Sequence, residues 1–175
     1  MSGPDKFSRF EQAVLPHLDA AYNLARWLMR DENEAADVVQ DACLRALRFI
    51  GGLRGGDGRS WLLAIVRNTC YSHLKRRAGR EQESEFDDEI HSPDSESANP
   101  EVLVERSSDS ESLRHALESL PEEFREIIVM RELEGMGYKE IAEVAGIPIG
   151  TVMSRLARAR ERLQRILTVG RVKES

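Results

Sequence analysis

The chain has 175 residues, of which 41% are hydrophobic and 32% are charged, and its formal net charge is −6. This composition excludes a collagen-like chain and a wholly disordered one. There is no run of about 18 uncharged apolar residues, and the first segment, MSGPDKFSRFEQ, lacks the cationic and then apolar layout of a secretion signal, so we expect a cytoplasmic protein without a membrane span.

The sequence offers no framework for disulfides, metal binding or catalysis. Its two cysteines, Cys43 and Cys70, lie on apolar stretches without C-x-x-C spacing, which is typical of small buried thiols. The four histidines are scattered, and no His-x-x-x-His, Ser-centred elbow or phosphate loop is present. We therefore predict that the chain has no metal, no cofactor and no catalytic residue.

The acidic charge is concentrated in the middle of the chain. Residues 1–79 hold 12 Lys and Arg against 9 Asp and Glu, residues 80–112 hold 2 against 12, and residues 113–175 hold 11 against 10. The middle segment is rich in Ser, Asp and Glu, so it buries too little apolar surface to offset the entropy lost on ordering. We predict a flexible acidic linker over 80–112 that joins two small domains, 1–79 and 113–175.

Apolar residues recur three and four apart in both outer segments, which predicts an all-α fold without a sheet. The helical pattern at the start of the first domain is interrupted near Pro16. Asp31 or Asn33 can cap the next helix, which the glycines of GGLRGGDG end. Ser60 can cap the last helix of this domain.

This last helix is strongly basic. Between Asp57 and Glu81 it has six basic residues and no acid, and Trp61, Asn68 and Tyr71 are interleaved with them. Cationic side chains with aromatic planes suit a partly unstacked DNA strand. Trp61 lies beside the buried stripe and is read first as a core residue, whereas Asn68 and Tyr71 lie nearer the polar face. The basic residues are Arg59, Arg67, Lys75, Arg76, Arg77 and Arg80.

The second domain contains a helix-turn-helix pattern over residues 138–159. Before this pattern, Pro121 suits the first turn of a separate helix, EEFREIIVMREL. Gly146 supplies a left-handed turn, Val152 fills the core between two helices, and Thr151 can cap the second of them. These separate features together predict a helix-turn-helix.

The second helix of this pattern carries Ser154 and many arginines, and Glu161 and Glu174 are its only acids. Such a surface suits the DNA major groove, where Arg and Ser reach phosphates and base edges. An amphipathic helix with a solvated arginine face is the alternative, and the agreement of turn chemistry with charge favours DNA binding. The arginines are Arg155, Arg158, Arg160, Arg162 and Arg165.

Three motifs in sequence order, DVVQDACLRAL, GRSWLLAIVRNTCYSHLKRR and LPEEFREIIVMRELEGMGYKEIAEVAGIPIGTVMSRLARARERL, resemble the sigma-70 family of the extracytoplasmic function type. The resemblance covers nearly all of both predicted domains. It implies a subunit that gives RNA polymerase its promoter choice, with 1–79 as region 2 at the minus ten element and 113–175 as region 4 at the minus thirty-five element. It also implies control by an anti-sigma factor.

The resemblance further implies roles for individual residues. The helix over Ala36–Leu47 would dock on the clamp helices of the largest polymerase subunit, and the second domain on the flap of the second largest. Polymerase contacts are implied for Asp37, Gln40, Asp41 and Arg45. Contacts with the opened minus ten strand are implied for Arg54, Asp57, Arg59, Trp61, Arg67, Asn68, Tyr71, Lys75 and Arg76. Contacts with the minus thirty-five duplex are implied for Thr151, Met153, Ser154, Arg155, Arg158 and Arg160.

Two points keep alternatives open. Asp41 and Arg45 are four residues apart, so they can equally form a surface ion pair. Met153 stands where many relatives carry Lys or Arg, and it offers a base edge only apolar contact. The alternative function is a helix-turn-helix activator that acts apart from the polymerase, although that function leaves DVVQDACLRAL without a role.

Overall fold

The computed structural model of the chain describes residues 3–55, 58–84 and 108–174, which form helices joined by short turns. The first unit consists of α1 (Gly3–Val14), α2 (Leu18–Met29), α3 (Glu32–Arg48) and α4 (Gly58–Ser84). The second consists of α5 (Ser108–Ser119), α6 (Glu122–Ile128), α7 (Tyr138–Ala145) and α8 (Ile149–Glu174). These ranges contain no strand, and the predicted all-α fold with two helical units is confirmed. None of their helices is both long enough and apolar enough to cross a membrane.

Helical structure extends into both ends of the predicted linker, 80–112. α4 continues to Ser84 and α5 begins at Ser108. Residues 85–107 lie outside the described residues, as does Asp57 in the loop before α4. The limits of the two domains therefore stay a prediction.

Two backbone features join the first three helices. Pro16 lies in a short 3₁₀ turn, Leu15–His17, that separates α1 from α2 at the predicted interruption. Arg30 ends α2 in the left-handed conformation, with φ of 61°. The Oδ1 atom of Asp31 then accepts hydrogen bonds from the backbone N–H groups of Asn33 at 2.8 Å and Glu34 at 3.0 Å. Asp31, and not Asn33, therefore caps α3.

Gly58 allows α4 to approach α1 closely. A Cβ atom built on Gly58 would lie 2.2 Å from the carbonyl oxygen of Ala13 in α1. α4 begins at Gly58, so Ser60 is a buried residue of the first turn, and the prediction that it caps the helix is wrong. The sequence placed the start too late because Ser is a common cap and Gly a poor helix former.

The second unit contains the predicted helix-turn-helix, formed by α7 and α8. Gly146 ends α7 with φ of 69°, and Val152 is fully buried between the two helices. α8 begins at Ile149, and the Thr151 N–H donates to the carbonyl oxygen of Pro148 at 3.0 Å. Thr151 therefore lies inside the first turn, and the prediction that it caps α8 is wrong.

The two units pack against each other, which the sequence does not predict. α4 contacts α7, and α2 contacts α6. The buried Arg125 in α6 donates to the carbonyl oxygens of Leu117 at 3.0 Å and Leu120 at 2.6 Å in its own unit, and to that of Trp27 in α2 at 3.0 Å. Because α4 contacts α7, the second unit covers part of the basic helix α4.

Candidate nucleic-acid interface

The predicted DNA residues of α4 fall into two groups by exposure. Asn68, Lys75 and Arg76 are exposed, whereas Arg59, Arg67 and Tyr71 are half-buried. Trp61 is half-buried and packs against the hydrophobic core, in agreement with its interpretation as a core residue. Arg54 is exposed in the loop before α4.

Arg67 forms a two-pronged ion pair with Glu126 of α6. Its Nε donates to Oε2 at 2.7 Å and its Nη2 to Oε1 at 3.1 Å. The guanidinium carbon also lies 4.4 Å from the centre of the Tyr71 ring. The Glu126 side chain has no exposed surface, and that of Arg67 is 18% exposed. This geometry is the strong, parallel arrangement that guanidinium groups form with carboxylates and phosphates.

Burial dominates the electrostatics around this pair. It raises the pKa of Glu126, although the hydrogen bond and the positive charge of Arg67 oppose the shift. Burial also raises the pKa of Tyr71, and that of the Cys70 thiol to about 12. Burial therefore opposes the charged form of each of these groups, whereas Arg67 and Glu126 each favour the charged form of the other.

A second ion pair joins α4 to the helix-turn-helix. Nη2 of Arg59 lies 2.7 Å from Oε2 of Glu140 in α7. The other oxygen of this carboxylate accepts a hydrogen bond from the N–H of Gly137 at 3.2 Å, so Glu140 also caps α7. The hydrogen bond from Arg59 holds the pKa of Glu140 below its usual value.

The residues predicted to contact duplex DNA differ in their exposure on α8. Met153, Ser154 and Arg158 are exposed. Arg155 is half-buried. Arg160 is held by Glu132, with its Nε 3.0 Å from Oε1. Met153, Ser154, Arg158 and Arg160 are thus exposed on the outward side of α8, and the charge of Arg160 is paired with that of Glu132.

The predicted polymerase-binding residues lie on α3. Asp37, Gln40 and Arg45 are exposed, and Asp41 is half-buried. Oδ2 of Asp41 lies 3.2 Å from Nε2 of His73 in α4. Asp41 therefore contacts α4, and no Asp41–Arg45 pair is seen in the described part of the chain.

Sequence reasoning missed the acidic partners of the α4 arginines. Glu126 directly precedes the apolar run IIVM, and a carboxylate fully buried there indicates a cationic partner. That signal identifies neither Arg67 nor α4. Glu140 follows Gly137 by three residues, a capping-box spacing, and only the packing of the two units gives it a second role. Over the described residues, no group of three His, Cys, Asp or Glu side chains could hold a metal ion.

Comparison with known proteins identifies both halves of the molecule. Residues 13–80 match the sequence model described as Sigma-70 region 2, and residues 110–163 match Sigma-70, region 4. The chain is 34% identical over 167 residues to the RNA polymerase sigma-H factor of Pseudomonas aeruginosa, which covers 90% of this chain and 86% of that protein. The chain belongs to the sigma-70 family, among its extracytoplasmic function sigma factors.

A further relative of this sigma factor is longer than the chain itself. The extracytoplasmic function sigma factor SigE of Mycolicibacterium smegmatis is 32% identical over 155 residues, which are 89% of this chain and 60% of that protein. Among solved structures, the sigma factor RpoE of Bartonella quintana, in complex with the anti-sigma factor NepR, aligns with a TM-score of 0.73 and 33% identity. That alignment covers 91% of this chain and 97% of RpoE, so it includes both helical units.

Proposed function

We propose that this sigma factor binds core RNA polymerase and directs it to specific promoters. The domain 1–79 would recognise and open the minus ten element, 113–175 would bind the minus thirty-five element, and the acidic segment 80–112 would join them. The observation that carries this proposal is the presence of two cationic helices, α4 and α8, in two separate units of one chain. Each helix has exposed basic residues that can contact phosphate.

The outward side of α8 supplies the duplex contacts. Arg158 and Ser154 are exposed and can reach phosphate or base edges in the major groove. Met153, with 51% of its surface exposed, offers only apolar contact. It therefore favours the methyl group of thymine over guanine, for which an arginine would be the better partner.

The exposed side of α4 supplies contacts to the opened strand. Asn68, Lys75 and Arg76 are accessible along it. Unstacking a base costs a few kcal/mol, and phosphate contacts and stacking must return that energy. Arg59, Arg67 and Tyr71 are proposed to contribute once they are accessible, together with Arg54 and Asp57 of the preceding loop.

The length of the joining segment is compatible with binding at two sites. Promoter elements separated by roughly 17 base pairs lie about 58 Å apart at 3.4 Å per pair. The residues 85–107 span at most about 83 Å when fully extended. One chain can therefore hold both elements.

The remaining partners follow from the same proposal. Asp37, Gln40, Asp41 and Arg45 on α3 would dock on the polymerase clamp helices, and the second unit would dock on the flap. An anti-sigma factor would hold the chain inactive, since the related RpoE was solved with one. The protein would act in the cytoplasm as a specificity subunit, with no cofactor and no catalytic step of its own.

Copurification with core polymerase tests the proposal against the alternative of an activator that acts apart from the enzyme. The wild-type chain should elute with core polymerase on gel filtration at micromolar concentration. The Asp37→Ala, Gln40→Ala double variant should elute mostly free, because it lacks two exposed polar groups of α3. Elution of the wild-type chain apart from the polymerase under all conditions would favour the activator.

A further inference from the structure

We propose that Arg9 of α1 positions the loop that precedes α4, by holding the carbonyl oxygen of Leu53, so that this loop presents Arg54 to the opened minus ten strand. The inference rests on the proposed function, because it assumes that the loop contacts that strand. It goes further, because it assigns a role to α1. The match to Sigma-70 region 2 begins at residue 13, so Arg9 lies outside that match.

The helix α1 is a fixed part of the first unit. Its last residue, Val14, is fully buried, and Phe10 packs against the hydrophobic core. α1 also contacts α3, α4 and the short 3₁₀ turn Ile50–Gly52, which leads directly into the loop. A helix that is packed in this way can serve as a support for the loop beside it.

The start of the loop is held by Arg9. The Leu53 side chain is buried, and Nη2 of Arg9 donates a hydrogen bond to the Leu53 carbonyl oxygen. This oxygen belongs to the planar peptide unit that joins Leu53 to Arg54. The hydrogen bond therefore fixes the plane from which Arg54 departs. Arg54 is exposed, and the next residue, Gly55, has the left-handed backbone conformation that favours glycine, with φ of 79°.

The end of the loop is held by the same helix. α4 begins at Gly58, where an added Cβ atom would lie 2.2 Å from the carbonyl oxygen of Ala13. Arg9 and Ala13 are four residues apart, so they lie on the same face of α1. One face of α1 thus contacts both Leu53, at the start of the loop, and Gly58, at the start of α4.

This support should act on promoter opening and leave duplex binding unchanged. A loop that is already ordered loses less conformational entropy when it binds its partner. The opened strand gains from this order, because its contacts must offset the cost of unstacking a base. The duplex contacts belong to α8, in the other unit. Arg9 is half-buried and bound to Leu53, so it acts through Arg54 and is a positioning residue.

Three substitutions in the full-length chain test this role. Arg9→Met deletes the N–H donors and keeps a long aliphatic side chain that can pack as the arginine stem does. Arg9→Lys keeps a donor and the positive charge, so it should restore part of the function. Lys6→Ala is the matched control, because it removes one positive charge from the same helix, three residues before Arg9.

The readout uses core polymerase and a promoter from which the wild-type chain starts transcription. Permanganate reactivity of minus ten thymines measures the rate of opening, and footprinting of the minus thirty-five element in the cold measures duplex binding. Arg9→Met should lower the opening rate about tenfold and leave duplex binding within about twofold of the wild type. Arg9→Lys should open within about threefold of the wild type, and Lys6→Ala within about twofold.

A double-mutant cycle with Arg54→Ala tests whether Arg9 acts through Arg54. In the Arg54→Ala background the positioned group is absent, so Arg9→Met should lower the opening rate by less than about twofold further. An undiminished loss in that background would overturn the positioning role. Equal opening rates for Arg9→Met and Lys6→Ala would overturn it as well, and so would an equal loss of opening and duplex binding.

Two controls separate the remaining outcomes. If circular dichroism shows that Arg9→Met does not fold, Arg9→Ala is judged by the same criteria, because it deletes the same donors with a residue that favours the helix. Opening by the wild-type chain together with an unchanged rate for the Arg9 variant refutes only the positioning role. Failure of the wild-type chain to open any promoter refutes the proposed function, and this inference with it.

Discussion

Arg67 and Glu126 form a bidentate ion pair that joins α4 of the first unit to α6 of the second, with N–O distances of 2.7 and 3.1 Å. The carboxylate has no contact with solvent, so neither partner can lose the other without leaving a charge in a poorly hydrated position. Loss of either side chain should therefore reduce the free energy that holds the basic helix α4 against the second unit.

A double-mutant cycle of Arg67→Ala and Glu126→Gln measures this coupling. We expect an interaction free energy of about 1–3 kcal/mol from urea unfolding at pH 7, because the pair is close and shielded from water. The exposed pair Arg165–Glu161, at 2.8 Å within α8, is the control and should give at most about 0.5 kcal/mol. Equal coupling in the two cycles would contradict a shielded contact between the units.

Gly58→Ala should destabilise the protein by about 1–3 kcal/mol, because its Cβ would meet the Ala13 carbonyl of α1 at 2.2 Å. Gly79→Ala on the same helix is the matched control, since an added Cβ there meets nothing within 4 Å. It should stabilise the helix by about 0.5–1 kcal/mol. Thermal unfolding followed by circular dichroism compares the two, and a neutral Gly58→Ala would argue against the close α1–α4 contact.

The Arg59–Glu140 pair should make part of the stability depend on pH. The pKa of Glu140 is lower in the folded protein, so its contribution is present above its ordinary pKa of 4.5 and is lost as the pH falls through the lowered value. At pH 7, Glu140→Gln should be less stable than the wild type by about 0.5 kcal/mol, as expected for a partly exposed pair. Melting curves of the two proteins should converge as the pH falls below 4.5, and a difference that stays constant over that range would contradict the prediction.

The two arginines at the middle of α8 should contribute unequally to duplex binding. Both are exposed, and Arg160 is bound to Glu132. Arg158→Ala should weaken binding to promoter duplex and lower the slope of log affinity against log salt by about 1. Arg160→Ala should lower that slope less, because Glu132 already offsets its charge. Holoenzyme footprinting over a salt series distinguishes the two, and a larger loss for Arg160→Ala would reverse the assignment.

Local features of the fold were predictable because each depends on a few neighbouring residues. Asp31, one of the two residues predicted to cap α3, does cap it. Gly146 forms the turn between α7 and α8, and Val152 is buried between these two helices, both as predicted. The two wrong caps, Ser60 and Thr151, have a common cause. Both hydroxyl residues follow a glycine in a first helical turn, where favourable capping chemistry outweighed the poor helix propensity of glycine.

The contact between the two units could not be predicted, for a physical reason. Glu126 and Arg67 are 59 residues apart, and neither helical periodicity nor charge counts specify which helices meet across an acidic segment. The DNA-binding residues were therefore assigned from the family resemblance and from the polar face of each helix. Only the folded structure shows that Lys75 and Arg76 are exposed, whereas Arg59 and Arg67 form ion pairs with carboxylates of the second unit.

Run-off transcription with purified core RNA polymerase, on a library of genomic fragments, tests the central claim most directly. Addition of the wild-type chain should produce transcripts from a small set of defined start sites, preceded by a shared pair of sequence elements, and Arg158→Ala should reduce their yield. If the folded chain binds core polymerase but no defined transcript appears from any fragment, the proposed role in promoter selection is wrong.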